Sequence, residues 1–100
     1  MRISSSSTAD STTLRLHSAR LDAAIANELR TSLGEAITAV AGPTILDMSE
    51  VVFMDSSGLG ALIGALKVID ATRLTITGVK PAVRTVFRLT RVDRAFTIAE

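Results

Sequence analysis

The segment from Thr44 to Gly64 constrains this 100-residue chain more than any other. Thr44-Ile45-Leu46-Asp47-Met48 is a short, largely apolar run and reads as a buried strand. Beyond Ser57, Leu59, Leu62, Ile63, Leu66 and Ile69 recur at helical spacing, predicting a helix from Ser57 to about Asp70. A second strand, Leu74 to Thr77, follows and is closed by Gly78. Strand, helix and strand at this spacing make a βαβ unit and hence an α/β fold. In open α/β sheets, sites sit beyond the carboxyl ends of the strands. Asp55, Ser56 and Ser57 fall in that place.

These three residues also stand where the helix begins. Asp and Ser are favoured there because a side-chain oxygen accepts a backbone N–H of the first turn. The same free N–H groups and the helix dipole favour an anion. The stretch therefore offers a hydroxyl at a helix start that can carry a phosphate. Ser56 and Ser57 both qualify; Ser57 lies one residue further in, where capping can take up its hydroxyl. Gly58, Gly60 and Gly64, with Ala61 and Ala65, make one side of the helix low. Each glycine costs about 1 kcal/mol relative to alanine in a helix. Small residues of this kind serve either close packing inside the domain or close approach by another protein.

The rest of the chain supplies a scaffold. Ser4 to Thr8 is a polar run and reads as a loop or a frayed terminus. Thr12 to His17 alternates, with Leu14 and Leu16 on one face, and reads as a strand. His17, the sole histidine, is expected on the exposed face. Asp22 suits the N-cap of an amphipathic helix over Ala23 to Val40, whose stripe is Ile25, Leu29, Leu33, Ile37 and Val40. Gly42-Pro43 ends it. Pro81 opens a third helix with Val83, Val86, Phe87 and Thr90 on its buried side. Lys80, Arg84, Arg88 and Arg91 are spaced to form a basic stripe on that helix, either a solvated face or a track for an acidic partner or nucleic acid. Phe96 and Ile98 alternate in a last short strand.

Composition narrows the functions available. The formal net charge is +1, which argues against nucleic-acid binding by bulk electrostatics. Three Phe and no Trp or Tyr leave few residues to stack on bases. Without Cys there is no disulfide, thiolate nucleophile or cysteine-bound metal. Gly58-x-Gly60-x-x-x-Gly64 places its third glycine one residue late for a dinucleotide fingerprint, and no Walker-type loop is present. Ser56, His17 and Asp22 have the residue types of a hydrolase triad, but Met54 stands where a nucleophile elbow needs glycine. Arg2 is followed by Ser and Thr rather than by an apolar signal-peptide core, and no apolar run is long enough for a membrane span. A cytoplasmic, non-enzymatic protein without cofactor or metal is the expectation.

Leu46-Asp47-Met48 through Phe53-Met54-Asp55-Ser56-Ser57-Gly58-Leu59-Gly60 resembles the signature of the STAS domain. More narrowly, it is similar to bacterial anti-sigma factor antagonists. The resemblance implies one STAS domain over residues 1–100, with a mixed sheet of four to five strands and helices packed against it, residues 1–10 being either frayed or an edge strand such as family members often begin with. It implies that Ser56 is phosphorylated by an anti-sigma factor that is also a serine kinase, and that a PP2C-type phosphatase resets it. ATP and a divalent metal would belong to those partners. The implied contact surface holds Asp22, Asp55, Ser56, Ser57, Gly58, Leu59 and Gly60. The family pattern Gly-Glu-Leu-Asp is kept at Leu21 and Asp22 but broken at Ala19 and Arg20, where a charge is reversed. A different class of function, a non-switching STAS scaffold or ligand-binding module in a stress-signalling or transport assembly, shares the same signature.

Overall fold

The computed structural model describes residues 1–99; Glu100, the last residue of the expected domain, lies outside the described residues. The elements run β1 (Ile3–Ser7), β2 (Thr12–Leu16), β3 (Arg20–Leu21), α1 (Ala26–Thr38), β4 (Thr44–Asp47), β5 (Phe53–Met54), α2 (Ser56–Leu66), β6 (Leu74–Thr77), α3 (Pro81–Leu89), α4 (Val92–Ala95) and β7 (Thr97–Ile98). The main sheet has five strands in the order β1-β2-β4-β6-β7. Strand β1 pairs antiparallel with β2, and every other pairing is parallel. The N-terminal segment is thus an edge strand, and the sheet is mixed.

Register explains why one face of the sheet is buried. Leu14, Leu46, Ile76 and Ile98 stand side by side across β2, β4, β6 and β7. Thr12, Thr44 and Leu74 form the next row on that face. Alternation then turns Thr13, Arg15, Ile45, Asp47, Thr75 and Thr77 to the other face, where none is fully buried. The Thr44–Asp47 strand is therefore buried on one side only. A single apolar core joins these strands to Leu29, Leu33 and Ile37 of α1, to Leu59, Ala61, Leu62, Ala65 and Leu66 of α2, and to Val83 and Phe87 of α3.

Helix α2 is the crossover between the parallel neighbours β4 and β6, as the βαβ pattern predicts. It ends at Leu66, earlier than Asp70, and Ala71–Arg73 forms a 3-10 turn capped by the Asp70 side chain. Helix α1 begins at Ala26, not Ala23, because residues 22–25 close a separate turn with Ile25 N–H bonded to the Asp22 carbonyl at 3.2 Å. The sharp return at Gly78 has φ +70, and a Cβ there would meet Ser49 at 2.9 Å, so glycine is required. Thr90, expected to be buried, is exposed because α3 stops at Leu89.

Candidate functional site

Beyond the carboxyl ends of β2 and β4 the chain makes a small second sheet. Strand β3 pairs in parallel with β5, Arg20 opposite Phe53 and Leu21 opposite Met54. The Ala19 carbonyl accepts from the N–H groups of Val52 and Phe53 at 2.8 and 3.2 Å, and the Leu21 carbonyl accepts from Asp55 N–H at 3.1 Å. One step further along the pair, Asp22 and Asp55 come together at the start of α2. The sheet thus brings to one corner the two segments that the sequence singles out.

Asp55 is the N-cap of α2. Its backbone is extended, and its Oδ1 accepts from Gly58 N–H at 2.8 Å. Oδ2 accepts from Ala23 N–H at 3.2 Å, which ties the turn after β3 to the helix. Asp22 caps no helix: its Oδ1 accepts from Ala24 N–H at 3.1 Å within its own turn, and its Oδ2 meets Arg20 Nε at 3.2 Å. With Asp55 as the cap, the Ser57 hydroxyl is not consumed by capping. Ser56 and Ser57 are both exposed, and neither hydroxyl makes a hydrogen bond among the described residues.

The glycines separate by role. A Cβ on Gly58 would lie 1.9 Å from the Leu21 carbonyl oxygen, so β3 packs directly on this turn of α2. Gly58 and Leu59, which the resemblance places on the implied contact surface, are buried within the domain. Gly60 is exposed, and a Cβ there would meet nothing within 4 Å. Gly64 lies under the Arg30 side chain.

Sequence reasoning missed the residues flanking this corner. The Arg20 guanidinium lies over the Phe53 ring, 4.2 Å from its centroid, within cation–π range. Val52 and Phe53 are 50% and 38% exposed, a small apolar patch just ahead of the serines in the chain. The available signals were the charge reversal at Arg20 and an apolar pair just before a polar, helix-starting run, and nothing in the sequence paired them.

Other expectations are corrected. His17 is not an exposed strand-face residue. Its Nδ1 lies 2.8 Å from Glu50 Oε2 and its Nε2 lies 2.8 Å from Ser4 Oγ, joining β1 to the loop after β4. It therefore stands in no triad with Ser56 and Asp22. The basic residues after Gly78 do not form one stripe. Lys80 turns its amine onto the Ser49 carbonyl, and Arg91 lies beyond α3 with φ 61. Asp47 is paired across the sheet with Arg15, whose Nε and Nη2 both lie 2.9 Å from Oδ2. Burial raises the Asp47 carboxyl, but hydrogen bonds from Ser49 and the Arg15 guanidinium outweigh it and hold the group below its ordinary value. Among the described residues there is no cluster of His, Asp and Glu able to hold a metal, and no helix is long and apolar enough to cross a membrane. A shallow depression on α1, lined by Thr31, Gly34, Glu35, Thr38 and Ala39, includes none of the site residues.

With this arrangement in view, the STAS domain family matches residues 4–100, and the chain belongs to that family. Solved structures share the fold. An anti-sigma factor antagonist from Mycobacterium paratuberculosis superposes with a TM-score of 0.81 at 20% identity, covering 97% of this chain and 83% of the other. The anti-sigma factor antagonist SpoIIAA in its unphosphorylated form gives 0.69 at 24% identity, covering 99% and 89%. The Bacillus cell fate determinant SpoIIAA in the phosphorylated form gives 0.63 at 22% identity, covering 99% and 92%.

Proposed function

We propose that this chain is an anti-sigma factor antagonist that binds an anti-sigma factor serine kinase while Ser56 is free and leaves it once Ser56 is phosphorylated. One observation carries the reading. The Ser56 hydroxyl is exposed at the first position of α2, while the carboxylates beside it are occupied by backbone N–H groups. A phosphoryl group added there displaces no hydrogen bond of the Ser56 hydroxyl among the described residues. The existence of SpoIIAA in phosphorylated and unphosphorylated forms supports the same chemistry for a STAS domain. Ser57 is equally open, and the Asp-Ser-Ser-Gly resemblance selects Ser56 between them.

In the transfer step the Ser56 Oγ attacks the γ-phosphorus of ATP held by the kinase. The hydroxyl proton passes to a base on the kinase, the bond from phosphorus to the bridging oxygen breaks, and ADP leaves. Reversal is hydrolysis: water attacks the phosphorus, the bond to Oγ breaks, and the hydroxyl regains a proton as phosphate departs. A PP2C-type phosphatase supplies that step in this scheme. The new group carries about −1.5 to −2 charge beside Asp55 and Asp22. A partner fitted to the neutral hydroxyl meets like charge and an added desolvation cost. A loss of about 3 kcal/mol weakens binding roughly a hundredfold. The surface proposed for the partner is Asp22, Asp55, Ser56, Ser57 and Gly60, without the buried Gly58 and Leu59.

The test is incubation with a cognate kinase and ATP, followed by intact-mass measurement. One phosphoryl group is expected on the parent and on Ser57→Ala, and none on Ser56→Ala. Modification of Ser56→Ala with loss in Ser57→Ala moves the acceptor to Ser57. Absence of any modification alongside undiminished kinase binding favours the non-switching scaffold.

A further inference from the structure

We propose that Arg20 is the internal receptor for the phosphate on Ser56, exchanging Asp22 for it when the group is added. The inference rests on Ser56 as the acceptor and names what the modified side chain does next. Arg20 is pre-set for the exchange. Its guanidinium carbon lies over the Phe53 ring, and its side chain is 60% exposed. Its Nε–Oδ2 distance to Asp22 is 3.2 Å, longer than the roughly 2.7–2.9 Å of a strong charge-assisted bond. Among the described residues only Nε is engaged, so the fork of terminal N–H groups is open to a bidentate acceptor.

Direction and reach agree. Arg20 is the register partner of Phe53, and its contact with Asp22 aims the side chain along β3 toward the start of α2. Phe53 and Ser56 are three residues apart, so their backbones are separated by at most about 10 Å. An arginine extended from one side and a phosphoserine from the other span such a gap. Arg15 is paired with Asp47 and Lys80 donates to the Ser49 carbonyl, while Arg30 lies over Gly64, two turns along α2. A dianion with three acceptor oxygens outcompetes a single carboxylate for a guanidinium. The exchange would also lift Arg20 from Phe53 and release the Asp22 carboxylate. Phosphorylation then reshapes the apolar patch beside the serine as well as changing its charge.

The experiment uses the full chain with phosphoserine incorporated at position 56 during translation, so it does not depend on any kinase. The second ionisation of the phosphate is followed by phosphorus-31 NMR in the parent, Arg20→Gln and Arg20→Lys, each shown to be folded by circular dichroism. A neighbouring cation favours the dianion, so the phosphate pKa in the parent should lie at least about half a unit below that in Arg20→Gln. Arg20→Lys, which keeps the charge without the fork, should retain part of that difference. Equal titration of parent and Arg20→Gln overturns the proposal. A kinase that fails to modify Ser56, with the pKa difference intact, overturns the acceptor assignment and leaves the receptor geometry standing.

Discussion

Gly58 and Gly60 lie two positions apart on α2 and meet opposite surroundings. At Gly58 any side chain runs into the Leu21 carbonyl, and backbone cannot yield as the end of a flexible side chain can. Gly58→Ala should therefore destabilise the domain by at least about 2 kcal/mol in urea denaturation, in the range of overpacked cores. At Gly60 the added methyl meets open space. Gly60→Ala should stabilise by up to about 1 kcal/mol through helix propensity alone. If the partner does approach this helix closely, Gly60→Ala should also weaken kinase binding while it strengthens the fold. Asp55 serves two N–H groups, those of Gly58 and Ala23. Asp55→Ala should cost about 1–2 kcal/mol, the upper part of the usual capping range, because the loss uncouples the β3 turn as well.

Among the elements, the pairs that alternate cleanly were legible in the sequence. The Leu14, Leu46 and Ile76 row follows from period-two patterning, and the start of α2 follows from Asp, Ser and Gly before an apolar helical stripe. Strands β3 and β5 were not legible. Each has two residues, too few to show a period, and they exist because long-range backbone bonds at Ala19 and Leu21 hold them. That gap hid the Arg20–Phe53 stack, the part of the site that local pattern could not supply. Asp22 was misread as a helix cap for a related reason: its turn closes at Ile25, before α1 begins. The basic stripe failed because Arg91 adopts a left-handed conformation that nothing in a non-glycine residue announces. The Arg15–Asp47 pair between β2 and β4 makes a prediction at this scale. The Asp47 carboxyl is depressed in the folded state relative to its ordinary value of 3.8. Its contribution is therefore present above that value and is lost as pH falls through the folded-state pKa. Asp47→Asn should flatten the loss of stability below about pH 4, measured as urea midpoints across an acid series.

For the molecule as a whole, fold and site are divided so that one can change without the other. The core joins the sheet to three helices, whereas Ser56 stands outside it with its hydroxyl unbonded among the described residues. A charge at a helix start is favoured by the dipole and by free N–H groups, so the phosphorylated domain should keep its thermal midpoint to within a few degrees. The site's consequence is read by a partner rather than by the core. The decisive measurement is the dissociation constant of the kinase, by isothermal titration calorimetry at fixed salt, for the unmodified chain and for the chain carrying phosphoserine at position 56. The account predicts weakening by about a hundredfold with an unchanged circular dichroism spectrum. Equal or tighter binding of the phosphorylated chain, or a spectrum showing that the modification unfolds it, would contradict the account.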